Sequence, residues 1–77
     1  SEILADVGTG SRVRLVSIPD GSARTRLLRL GFLDGCVECR HHVRKGPVVL
    51  RRNGTDIALG SALAEEIEVE RPPEEGA

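Results

Sequence analysis

Asn53-Gly54 lies between two short apolar runs, Val48-Val49-Leu50 and Ile57-Ala58-Leu59. Both turn residues accept the positive φ of a type I′ turn, whose twist matches that of paired strands, so this segment is committed to an antiparallel hairpin. Centring the turn there predicts Leu50 opposite Ile57 and Val48 opposite Leu59 on one face. Arg51 then stands opposite Asp56 on the other, where unlike charges meet. A hairpin with one apolar face must be covered, and with 77 residues only a single small domain can cover it. Such a domain buries about 60% of its unfolded surface. Its core is aliphatic, because Phe32 is the sole aromatic residue and Trp, Tyr and Met are absent.

The remaining chain reads as more short strands. Ile3, Leu4 and Val7 form a lead-in closed by Gly8-Thr9-Gly10. From Arg12 to Ile18, Val13 and Leu15 alternate with Arg12 and Arg14, then the phase slips at Val16 and Ile18 as at a bulge. Pro19-Asp20-Gly21 is a turn, and Ser22 is expected to cap a helix whose apolar stripe is Ala23, Leu27 and Leu30. Gly31 ends it, and Thr25, Arg26 and Arg29 point away from the stripe. After Asp34-Gly35 a strand is expected from Cys36 to Val43, with Val37, Cys39, His41 and Val43 on one face and Cys36, Glu38, Arg40 and His42 on the other. Ser61 to Glu66 reads as one helical turn and Ile67 to Glu70 as a last strand. The expected fold is mainly β, a small closed or partly closed antiparallel barrel of about five strands with one short helix over residues 1–70, with a flexible tail over 71–77.

Charge and motifs limit the chemistry. Between Arg12 and Arg52 ten basic residues face three acidic ones, and from Glu65 six glutamates face Arg71, so the body is basic and the C-terminal segment acidic. A basic body attracts nucleic acid, anionic lipid or an acidic protein face. Barrels that grip single strands offer aromatic platforms, which this chain lacks, so no nucleic-acid partner is expected. No apolar run approaches the roughly 18 residues needed to span a bilayer, and the N-terminus carries no signal-peptide pattern. Two cysteines fall short of a secreted disulfide scaffold. A cytoplasmic protein without membrane insertion is therefore expected, and the initial Ser1 reads as a trimmed start. No phosphate-cradling glycine loop and no nucleophile with a neighbouring base is present, so no catalytic residues are assigned.

Cys36-Val37-Glu38-Cys39-Arg40-His41-His42 holds ligand types suited to Zn2+ or Fe2+. On a strand Cys36 and Cys39 face opposite ways, so Cys39 reads as a core residue. Cys36, His41 and His42 remain as candidate metal ligands, with a second copy supplying the rest in a metal-bridged homodimer. No cofactor is required by the fold.

The ordered motifs resemble the FeoA family. Leu4-Ala5-Asp6-Val7 with Gly10 resembles its opening, and Arg26-Leu27-Leu28-Arg29-Leu30-Gly31-Phe32-Leu33-Asp34-Gly35 resembles its hallmark helix running into leucine-glycine, an apolar residue and a second glycine. Gly46-Pro47-Val48-Val49-Leu50, Gly54 with Ile57-Ala58-Leu59, and Ala64, Ile67 and Val69 follow in the family's order. The resemblance implies an SH3-like barrel and a non-enzymatic accessory role in bacterial ferrous iron uptake. In that role the domain binds the cytosolic part of the FeoB membrane transporter, which would hold it at the inner face of the membrane. The same barrel resembles the C-terminal domain of metal-dependent repressors, which is the alternative for a fragment of a longer protein. Partner contact is expected at Arg26 and Arg29, with Phe32 and Leu33 at the following loop tip; core filling is the alternative for those two.

Overall fold

In the computed structural model, which describes residues 2–73, the chain begins with β1 (Glu2–Ile3), a 3₁₀ turn (Leu4–Asp6), β2 (Arg12–Ser17) and α1 (Ser22–Arg29). It continues through β3 (Val37–His42), β4 (Val48–Arg52), β5 (Thr55–Leu59), α2 (Ser61–Ala64) and β6 (Glu68–Glu70). All pairings are antiparallel, in the order β1-β6-β2-β3-β4-β5. β2 bends between two partners: Arg12 and Val13 pair with β3, whereas Arg14, Leu15 and Ser17 pair with β6. Val16 is the extra residue at that bend, where the alternation slips in the sequence. The barrel is of SH3 type but partly closed, because β1 and β5 are edges that do not pair. A two-residue β1 adds a sixth strand to the five expected.

The hairpin of β4 and β5 adopts the expected register, with Asn53 at φ 51° and Gly54 at φ 80°. Leu4, Val7, Leu27, Phe32, Leu50 and Ile67 are the largest wholly buried side chains; they come from the lead-in, helix, loop, hairpin and closing segment, so one core joins them all.

α1 differs from expectation at both ends. Ser22 is its first helical residue rather than its cap. The first turn closes on the carbonyl of Gly21, which accepts from both the amide and the hydroxyl of Thr25, so the cap position falls on a residue with no side chain. At the C-terminus, Gly31 at φ 79° donates to Leu28 and Phe32 to Leu27, the 5→2 and 6→1 bonds of a Schellman turn. This turn brings Phe32 back onto Leu27, both wholly buried. Leu30, assigned by its spacing to the buried stripe, is instead 41% exposed, because Phe32 fills the space beside Leu27.

β3 departs further. Cys39 pairs with Leu50 but His41 with Val49, so Arg40 is an extra residue and the two faces exchange after it. Val37 and Cys39 face the core as expected. His41 and Val43 are exposed instead of buried, and His42 turns inward, half-buried, with Nδ1 donating to the carbonyl of Val7 at 2.8 Å.

Ion pairs lie at the surface. Arg51 binds Asp56 through two bonds of 2.6 and 3.0 Å, and Arg71 binds Glu2 through two of 2.9 Å. Arg71, placed at the start of a flexible tail by the sequence, is thus tied to the opposite end of the chain; residues 74–77 of that tail lie outside the described residues. Hydrogen bonds from Arg51 hold the Asp56 carboxyl below the usual carboxylate range. Its folded pKa lies below its unfolded one, so the stabilisation is present above the unfolded value and is lost as pH falls through the folded value. Asp56→Asn is therefore expected to flatten the loss of urea stability between about pH 5 and about pH 3. Identical slopes for variant and parent would show that the pair contributes nothing.

Candidate functional site

α1 carries one buried leucine and several unsatisfied groups. Leu27 faces the core while Leu28, one residue and about 100° further round, is 48% exposed. Arg24 precedes Leu28 by four residues and Arg26 precedes Leu30 by four, the spacing at which helical side chains are neighbours. Arg26 and Arg29 are exposed and, among the described residues, form no ion pair. Leu28 and Leu30, two residues and about 200° apart, thus flank the exposed side of the helix that carries Arg26 and Arg29.

Phe32, expected either at the loop tip as a partner contact or in the core, does not contribute to this face. It is wholly buried, because the Schellman turn needs an apolar residue after the glycine to pack on the helix. Leu33 is partly buried against the same core. For both residues the core-filling alternative is the one the fold adopts. Leu28 was detectable, since two adjacent helical leucines cannot both face inward, and the apolar-glycine-apolar spacing of a Schellman turn already marks Phe32 for the core.

The loop beneath this face is held by Arg52. Its Nε donates to the carbonyl of Gly31 at 2.8 Å and its Nη1 to that of Cys36 at 2.9 Å, so the last residue of β4 spans both ends of the α1–β3 connection. Gly35 lets the guanidinium approach: a Cβ there would lie 2.6 Å from Nη1 and 2.8 Å from Nη2. The two glycines of the helix-loop motif thus have different causes, backbone conformation at Gly31 and space at Gly35.

The cysteine and histidine residues are dispersed by the bulge. Cys36 is half-buried, Cys39 lies in the core, His41 points to solvent and His42 inward. Among the described residues no three of His, Cys, Asp and Glu stand close enough to hold a metal ion, so Cys36, His41 and His42 are not brought together within one chain. Burial pushes the Cys39 thiol pKa up, partly offset by a backbone hydrogen bond from His41, which disfavours the reactive thiolate. Among the described residues no helix is long and apolar enough to cross a membrane.

The fold recurs in solved structures. The crystal structure of an iron uptake regulatory protein (FeoA) superposes with a TM-score of 0.71 at 26% identity, covering 88% of this chain and 92% of that one. The solution structure of the FeoA protein from Chlorobium tepidum gives a TM-score of 0.76 at 27% identity, covering 96% and 74%. No curated protein sequence matches the chain. The FeoA domain model matches residues 3–71, a span that includes the lead-in, the Schellman turn with its two glycines, the hairpin and Arg71, and on that match the chain belongs to the FeoA domain family.

Proposed function

We propose that this chain is a non-enzymatic accessory protein of ferrous iron uptake that docks on the cytosolic part of a FeoB-type membrane transporter, in the cytoplasm, through α1. Family membership supports the iron-uptake setting. The observation that carries the docking face is the exposure of Leu28 and Leu30 beside Arg26 and Arg29, none of which the fold needs for its core. Two arginines flanked by exposed apolar side chains suit a small, transient interface, where arginine is enriched. Arginine is favoured there because its stem covers apolar area while its head stays hydrated. The reading requires no resident cofactor.

The test is an amide NMR titration of the labelled chain with the soluble cytosolic domain of the cognate transporter, under reducing conditions with a chelator present. Shifts are expected to cluster from Arg26 to Leu30. Arg26→Glu with Arg29→Glu is expected to keep the fold by far-UV circular dichroism and to weaken binding by about tenfold or more. Unchanged affinity of the folded double variant would remove this face. A response that appears only when ferrous iron or zinc replaces the chelator would move the function to Cys36, His41 and His42, with ligands completed across a dimer.

A further inference from the structure

A second cationic feature lies away from the exposed leucines. Arg12, Arg51 and Arg52, with the single carboxylate Glu38 and with Cys36, Val37, Asn53 and Gly54, line a cleft of about 390 Å³ at the hairpin turn. Three of these form a row across one sheet face, with Arg12 opposite Glu38 and Glu38 opposite Arg51. Most charges of this row are already matched. Arg51 is held by Asp56, and Glu38 accepts a bond from Arg40 at 3.3 Å.

Two donors remain among the described residues. Arg12 makes no side-chain hydrogen bond or ion pair, and Arg52 uses Nε and Nη1 on carbonyls while its Nη2 has no partner. A guanidinium already fixed at two points loses little freedom when its remaining N–H groups bind a ligand. The cleft therefore combines one preorganised and one mobile arginine, while the Glu38 carboxylate on its wall is bound by Arg40.

We propose that this cleft binds a carboxylate side chain carried by an acidic segment of a protein partner. Arginine N–H groups match the planar carboxylate. The cleft is open to solvent, whereas sites for free small molecules enclose most of the ligand; a side chain delivered by a docked chain is held by its own backbone and needs no enclosure. That the occupant is a protein rests on the accessory reading above; the charge of the cleft does not.

The test titrates the labelled full chain with an acetylated, amidated tetraglutamate peptide and separately with inorganic phosphate, at fixed ionic strength. The peptide is expected to shift the amides of Cys36, Asn53 and Gly54 and to slow iodoacetamide alkylation of Cys36, with buried Cys39 unreactive throughout. Arg12→Ala, at an exposed strand position, is expected to weaken the peptide by about tenfold, as for one lost charge-assisted bond. Shifts spread equally over α1 and the 44–45 turn, or equal affinity for Arg12→Ala, would overturn the proposal. Phosphate moving the cleft amides while the peptide leaves them still would assign the cleft to a free oxyanion and overturn the partner carboxylate. A flat response to the transporter domain with a retained peptide response overturns the accessory reading alone; the converse overturns the cleft alone.

Discussion

Phe32→Ala is expected to remove about 3–5 kcal/mol of folding stability, the usual cost of deleting a wholly buried aromatic side chain. A chain of 77 residues has about 4–12 kcal/mol to lose, so this one substitution brings the domain near the point of unfolding. The cost is high for two reasons. The ring is fully enclosed, and it is the apolar partner of Leu27 across the Schellman turn, so its loss loosens the helix terminus as well as the core. Urea unfolding followed by far-UV circular dichroism is the appropriate measurement, since the chain has no Trp or Tyr to report by fluorescence. Leu30→Ala provides the contrast. Its side chain is substantially exposed, so the expected cost is under about 1 kcal/mol. Equal costs at both positions would mean that the spacing of Ala23, Leu27 and Leu30, rather than the turn, defines the buried face.

The second large effect is a coupling. Arg52→Ala removes two hydrogen bonds to the α1–β3 loop and is expected to cost about 1–3 kcal/mol. Gly35→Ala should cost about the same in the parent chain, because the added methyl displaces the anchored guanidinium from Gly31 and Cys36. In the Arg52→Ala background the same change should be nearly neutral, since the three atoms nearest to a Cβ there all belong to the Arg52 guanidinium and the φ of Gly35 is not positive. A double-mutant cycle is thus expected to give a coupling of about 1 kcal/mol or more. Gly31→Ala is the control: its φ of 79° is unfavourable for a side chain whether or not Arg52 is present. If Gly35→Ala costs the same in both backgrounds, Arg52 is not what the glycine accommodates.

These residues also mark the limit of reading the chain by pattern. Asn53-Gly54 was legible down to the individual pairs because a two-residue turn fixes register by local backbone preference, and Arg51 opposite Asp56 followed from it. Gly31 was legible as a helix stop for the same reason. The slip at Val16 appeared in the alternation itself. The bulge at Arg40 left no such trace: Cys39 to Val43 contains no glycine, and the extra residue arises from how β3 pairs with β4. Of the candidate face, the exposure of Arg26 and Arg29 was legible from the helix spacing, whereas the sequence left Phe32 and Leu33 between loop tip and core, because Leu28, Leu30, Phe32 and Leu33 are similar in character and differ in what packs against them.

The sequence by itself determined the antiparallel hairpin and its register, the glycine-terminated helix, the aliphatic core and the basic body, since each follows from preferences of residues close together in the chain. Only the tertiary structure decided that β3 bulges at Arg40. It alone set His42 on the Val7 carbonyl rather than beside Cys36, and placed Arg52 over Gly35. The last two outcomes depend on segments 16 to 35 residues apart competing for the same space and the same carbonyl groups, and local pattern carries no information about which segment arrives there.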